Sequence, residues 1–231
     1  MQYGGNSLVV RGKVEKGKLL GNDDAKKLIA ALESTYKDAK YYLNFSTPVD
    51  LLAAAILSAQ TKDEVVNSIT PELFKRFKTA KDYANSDLEE LIGYVKRVSF
   101  AGNKAKNIIA AFRIIESKYG GKVPDKKDQL VELPGVGEKT ANTVLINAYG
   151  IVEGIPVDTW VIKLSYRLGL SMNTDPEKIE KDLMARVERR YWHNFAYVLK
   201  THGKKICSTI PECSKCPVSN VCPRNGVSKS V

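Results

Sequence analysis

Leu133-Pro134-Gly135-Val136-Gly137-Glu138-Lys139-Thr140-Ala141-Asn142 is the stretch on which the reading of this chain turns. Two glycines around one small apolar residue allow a tight turn whose amides lie open, because no Cβ blocks the approach of another backbone. From Glu138 onward the sequence reads as helix. The turn therefore sits at a helix N-terminus, where free N–H groups and the helix dipole favour a phosphate. Lys127 to Glu132 reads as a further helix, so the motif is helix, glycine hairpin, helix, over about residues 127–150. Leu133, Gly135, Val136, Gly137 and Thr140 are the candidate phosphate-contacting residues of the hairpin. Contacts of this kind position a duplex without reading its sequence.

Lys139 falls in the first turn of that helix. The positive helix end, together with an expected partial burial, would disfavour its ammonium form. A lysine that loses its proton near neutral pH attacks carbon and forms a Schiff base. Asp158 lies 19 residues further on, after Ile155-Pro156-Val157. Its simplest role is to cap the helix that begins at Thr159. Helix amides would also keep that carboxylate ionised, so that it can stabilise positive charge on a sugar or relay a proton.

All four cysteines fall late in the chain, as Cys207, five residues, Cys213, two residues, Cys216, five residues, Cys222. A disulfide framework would spread its cysteines through the fold. Four thiolates so close together suit a tetrahedral Zn²⁺ or a [4Fe–4S] cluster. Only one C-x₂-C pair is present, flanked at nearly even spacing, which is closer to a compact cluster loop than to paired zinc knuckles.

Lys and Arg number 36 against 26 acidic residues, a formal charge of +10 over 231 residues. That balance favours a polyanionic partner. No apolar run approaches the roughly 20 residues that span a bilayer, and no secretory segment opens the chain, so an intracellular protein with no membrane partner is expected. Glycines and lysines dominate residues 1–20, read as a tail in which Leu8, Val9 and Val10 form at most a short edge strand. From Asn22 the pattern is helical: Leu28, Ile29, Leu32 and Tyr36 share a face, with Asn22, Asp23 and Asp24 at the start. Pro48 opens the next helix, to about Ala59. Ser86 and Glu89 are expected to form a capping box. A helix through Ala105, Ile108, Ile109, Phe112 and Ile115 stops at Gly120 and Gly121. Further helices are expected at Thr159–Leu168, Pro176–Val187 and Tyr191–Thr201. Strand alternation is almost absent, so the fold class is all-α.

Together these stretches resemble the endonuclease III family of helix-hairpin-helix DNA glycosylases. The likeness rests on Leu57-Ser58-Ala59-Gln60 with Asp63, Asn103-Lys104-Ala105 with Asn107-Ile108-Ile109, the hairpin, Val157-Asp158-Thr159, His202-Gly203 and the cysteine loop. It implies a six-helix lobe at residues 41–152, a second lobe from residues 21–40 and 153–231 carrying a [4Fe–4S] cluster, and a DNA cleft between them. It matches Lys139 to the nucleophile, Asp158 to the catalytic aspartate, and Cys207, Cys213, Cys216 and Cys222 to the cluster ligands. Gln60 matches a residue that fills the space left by an extruded base. The implied partner is double-stranded DNA with damaged bases or abasic sites, met by a monomer, and the implied activity is removal of oxidised pyrimidines with strand cleavage.

The sequence departs from the family pattern in four places: one extra residue between Lys139 and Asp158, a first cysteine gap of five, Trp160 where histidine is common, and Ser99-Phe100-Ala101-Gly102 where a Gly-Leu-Tyr wedge is expected. Phe100 is read as an apolar wedge or a core residue. The competing readings are a monofunctional mismatch glycosylase, which tends to carry another residue at the Lys139 position, and a non-catalytic DNA-binding module, which has no need of Asp158.

Overall fold

A computed structural model describes residues 17–231, and among these every regular element is helical. The expected strand at Leu8–Val10 lies outside the described residues. No helix among them is long and apolar enough to cross a membrane. They form two compact units: Tyr41–Pro156, and residues 17–40 together with Val157–Val231.

The Tyr41–Pro156 unit is built around α2 (Pro48–Ser58), whose run Leu51–Leu57 is buried throughout. Thr47 and Asp50 form a reciprocal capping box and Pro48 pre-sets the first turn, so the start of this apolar helix is fixed by its own sequence. Around it lie α3 (Asp63–Arg76), α4 (Ala80–Ala84), α5 (Leu88–Val95) and α6 (Ala101–Tyr119). Phe77, Tyr83 and Phe112 stack in series at 5.0 and 4.6 Å between ring centroids and bind α4 to α6. The hairpin helices follow as α7 (Lys127–Val131) and α8 (Glu138–Val144), the latter running on as one π turn, Leu145–Tyr149, to Gly150.

The capping expectation at Ser86 and Glu89 is corrected by one residue. Asp87 caps α5, accepting from the Glu90 amide, while the Ser86 hydroxyl is buried and donates back to the Tyr83 carbonyl. Both registers satisfy the same spacing rule, and burial decides between them.

In the other unit α1 (Asn22–Thr35) packs against α10 (Pro176–Arg186) and α11 (Phe195–Lys205), and α11 in turn against α9 (Thr159–Arg167). Leu28, Ile29 and Leu32 form the buried face of α1. Its N-cap is Gly21, with no side-chain cap, so Asn22 is the first helical residue rather than the cap. Residues 18 and 20 are anchored in this unit. The Lys18 amide donates to Asn225 Oδ1 and the Leu20 amide to the Gly169 carbonyl, and Leu20 is buried. The helix expected over Tyr191–Thr201 instead begins at Phe195, because the chain first makes a 3₁₀ turn at Arg189–Tyr191. Trp160 packs against Gly203, where a Cβ would collide with its ring, so its indole serves the packing of α9 on α11.

Candidate active site and cysteine centre

The glycine hairpin is held from beneath. Leu133 and Val136 are buried core residues, 2% and 6% exposed, which corrects their place among DNA-contacting side chains: they root the turn and leave its backbone to face outward. Gly135 and Gly137 are exposed. Gly135 has φ +82, and a Cβ there would stand 3.1 Å from the Asn107 side chain and 3.3 Å from Ile56. Both backbone conformation and space therefore demand glycine. Gly135→Ala is expected to lower stability by about 1–3 kcal/mol, read as a fall in the thermal unfolding midpoint, and to weaken duplex binding in parallel. An unchanged midpoint would contradict the assignment. Lys127 pairs with Glu138 at 2.6 Å and ties the two hairpin helices together.

Lys139 is the second residue of α8 and is exposed. The expectation of partial burial is corrected: the side chain stands open to solvent at the N-terminus of α8. Thr140 beside it is half-buried.

Gln60 and Phe100 are exposed, Phe100 at 57%, which rules out a core role for this ring. Both lie in the left-handed region, with φ of +53 and +58, and among the described residues only Arg224 joins them as a non-glycine with positive φ. That backbone costs an ordinary residue roughly 1–2 kcal/mol. It persists only where the surroundings impose it.

Close to both segments lies a residue to which sequence reading gave no role. Lys104, in the first turn of α6, is 6% exposed, and its ammonium donates to the Leu57 carbonyl at 2.7 Å and to the Thr61 hydroxyl at 2.8 Å. Burial holds its pKa down at about 8. The signal in the sequence was a lysine directly preceding the buried Ala105, at the edge of the apolar face of α6.

Asp158 lies in the other unit and caps α9, its Oδ1 accepting from the Trp160 and Val161 amides at 2.9 Å each. The second oxygen is 4.0 Å from the Lys200 ammonium on α11. One oxygen thus holds the helix while the other faces a cation, and the side chain keeps about a fifth of its surface exposed. Sequence reading missed Lys200, which is 42 residues from its partner.

The four thiols are free and line one cavity, together with Arg167 and His202. Arg167 fixes the loop by donating to the carbonyls of Cys207, Ser208 and Thr209, and its guanidinium is 3.6 Å from the Cys207 sulfur. His202 is wholly buried, which lowers its pKa to about 4 and keeps the ring neutral. Its Nδ1 is 2.9 Å from the Tyr36 hydroxyl, and its Nε2 is 3.9 Å from the Cys216 sulfur. Among the described residues no three His, Cys, Asp or Glu converge tightly enough to hold a single metal ion.

Comparison with known proteins gives the family. Residues 53–189 match the HhH-GPD superfamily of base excision DNA repair proteins. An endonuclease III from Synechocystis is 43% identical over 200 residues, covering 86% of this chain and 91% of that relative, and one from Bacillus subtilis is 40% identical over 81% and 86%. A solved endonuclease III trapped as a covalent intermediate with DNA superimposes with a TM-score of 0.85 at 33% identity, covering 90% of this chain and 98% of that one. A thermostable thymine-DNA glycosylase shares the fold, with a TM-score of 0.78 at 22% identity. A helix-hairpin-helix with its lysine at the helix start, an aspartate capping a second helix, and likeness along nearly the whole length lead to one conclusion: this chain belongs to the endonuclease III family of the HhH-GPD superfamily.

Proposed function

We propose that the chain is a bifunctional DNA glycosylase and abasic-site lyase of base excision repair, acting on oxidised pyrimidines in duplex DNA in the compartment that holds the chromosome. The observation that carries this reading is the match over 98% of an endonuclease III that was trapped covalently on DNA, since a covalent adduct requires a nucleophile from the protein. In this chain that nucleophile is Lys139. C1′ of a stacked nucleotide is closed to an amine, so the nucleotide must first leave the helix. The Lys139 amine then attacks C1′, and the C1′–N bond breaks as the base departs with its electron pair and takes up a proton. Asp158, held ionised by two helix amides, offsets the positive charge that develops on the sugar. The iminium that forms on opening of the sugar ring makes the C2′ hydrogen acidic. Its removal expels the 3′ phosphate oxygen and cuts the strand. Borohydride added to protein and an abasic duplex should yield a covalent adduct, and the absence of any adduct would leave the monofunctional reading in its place.

Cys207, Cys213, Cys216 and Cys222 would hold the [4Fe–4S] cluster. Four thiols set around one cavity, with a single C-x₂-C pair flanked at even spacing, support a polynuclear group whose irons each take one thiolate. Such a cluster has no open ligand position. It would brace the loop or carry electrons, and no step of base removal passes through it. Protein purified under conditions that preserve the cluster should be yellow-brown with about four irons per chain. One zinc in a colourless protein would overturn this choice.

A further inference from the structure

Between the two exposed left-handed residues lies a polar hub that base removal itself does not use. The Thr61 hydroxyl is engaged on every side. It accepts from the Lys104 ammonium at 2.8 Å and from the Ser99 amide at 3.2 Å, and it donates to the Ala59 carbonyl at 3.4 Å. The Lys104 ammonium also closes the end of α2 through the Leu57 carbonyl, while the Lys104 amide donates to the Phe100 carbonyl at 3.0 Å. Lys104 thus grips the Gln60 segment with its side chain and the Phe100 segment with its backbone. Ser99 and Ala59, which meet at Thr61, are the immediate neighbours of Phe100 and Gln60.

We propose that Lys104 and Thr61 are positioning residues that join Gln60 and Phe100 into one rigid two-pronged wedge for displacing a nucleotide from the duplex. The inference rests on the glycosylase reading given above. Opening a base stack needs prongs that do not yield when the stack pushes back. Two single-residue excursions into the left-handed region would relax toward ordinary backbone if nothing held them. The hub holds both against the rigid ends of α2 and α6. Neither Lys104 nor Thr61 needs to touch the reacting atoms.

The test uses Lys104→Met and Thr61→Val in the full chain, on two substrates. One is a duplex with a single oxidised thymine, read as single-turnover excision at saturating enzyme. The other is a single-stranded oligonucleotide with a preformed abasic site, read as borohydride trapping, in which no stack has to be opened. Both variants are expected to lose roughly ten- to a hundredfold of excision on the duplex, because a misplacement of about 1 Å is enough for such a loss. Trapping on the single strand should stay within about twofold, and the enzyme concentration that half-saturates the duplex should move far less than the rate. An equal fall on both substrates would show general structural damage and overturn the wedge role, as would unchanged excision on the duplex. If Lys104→Met does not fold, Thr61→Val decides alone, since it removes the hydroxyl at which both segments meet and leaves the Lys104–Leu57 contact in place. Wild-type protein that neither excises nor traps would instead defeat the glycosylase reading, and the wedge with it.

Discussion

Lys139→Ala is expected to abolish the borohydride-trapped adduct on an abasic duplex and to reduce strand cleavage roughly a thousandfold or more, the scale of loss when a covalent nucleophile is removed. The fold should not register the change. Lys139 is exposed in the first turn of α8, and alanine is at least as good a helix former, so the unfolding free energy should stay within about 0.5 kcal/mol. Loss of chemistry without loss of stability separates a nucleophile from a structural lysine. A trapped adduct of undiminished yield would mean that another amine attacks. Lys139 stands exposed at the start of α8, where bound DNA would cover it. The variant's duplex affinity is therefore informative in its own right.

Asp158→Asn is expected to lower base excision by about 10²–10⁴-fold with duplex binding retained. Asparagine caps a helix nearly as well as aspartate, so the two bonds to the Trp160 and Val161 amides can survive the change. Asp158→Ala removes cap and charge together and should cost about 1 kcal/mol of stability as well. Equal loss of excision in the two variants, with thermal destabilisation confined to alanine, would assign the catalytic effect to the charge. Full activity in Asp158→Asn would leave Asp158 as a helix cap only and place the stabilisation of the sugar's charge on another group. The Lys200 ammonium 4.0 Å away sharpens the comparison, because replacing the carboxylate leaves that cation facing a neutral amide.

What could be read from the sequence was local. The helix-hairpin-helix, the Pro48 helix start and the role of Asp158 as a cap depend on residues within a few positions of one another, and turn and cap chemistry is legible at that range. The Ser86 and Glu89 box failed because the next pair, Asp87 and Glu90, has the same spacing, and only burial of Ser86 tells them apart. The exposure of Lys139 and the burial of Leu133 and Val136 depend on how the turn seats on Asn107 and Ile56, which no local pattern contains. Lys104 and Lys200 find their partners 47, 43 and 42 residues away. A lysine in an amphipathic helix reads as solvated until the opposite wall of its pocket is known. The backbone of Gln60 and Phe100 was invisible for the same reason, since neither residue type announces a positive φ.

The packing of α1 on α10 and α11 also fixes an order of events during synthesis. Tyr41–Pro156 is one unbroken stretch and is complete once Pro156 has been made. α1 is made earlier still, yet the helices its apolar face of Leu28, Ile29 and Leu32 packs against, α10 and α11, follow more than a hundred positions later. Joining ends so far apart costs a loop-closure entropy that grows only with the logarithm of length. The nascent chain therefore carries an uncovered greasy helix at its front for most of its translation. Holdase chaperones, or stalling before α10, should act on that helix first.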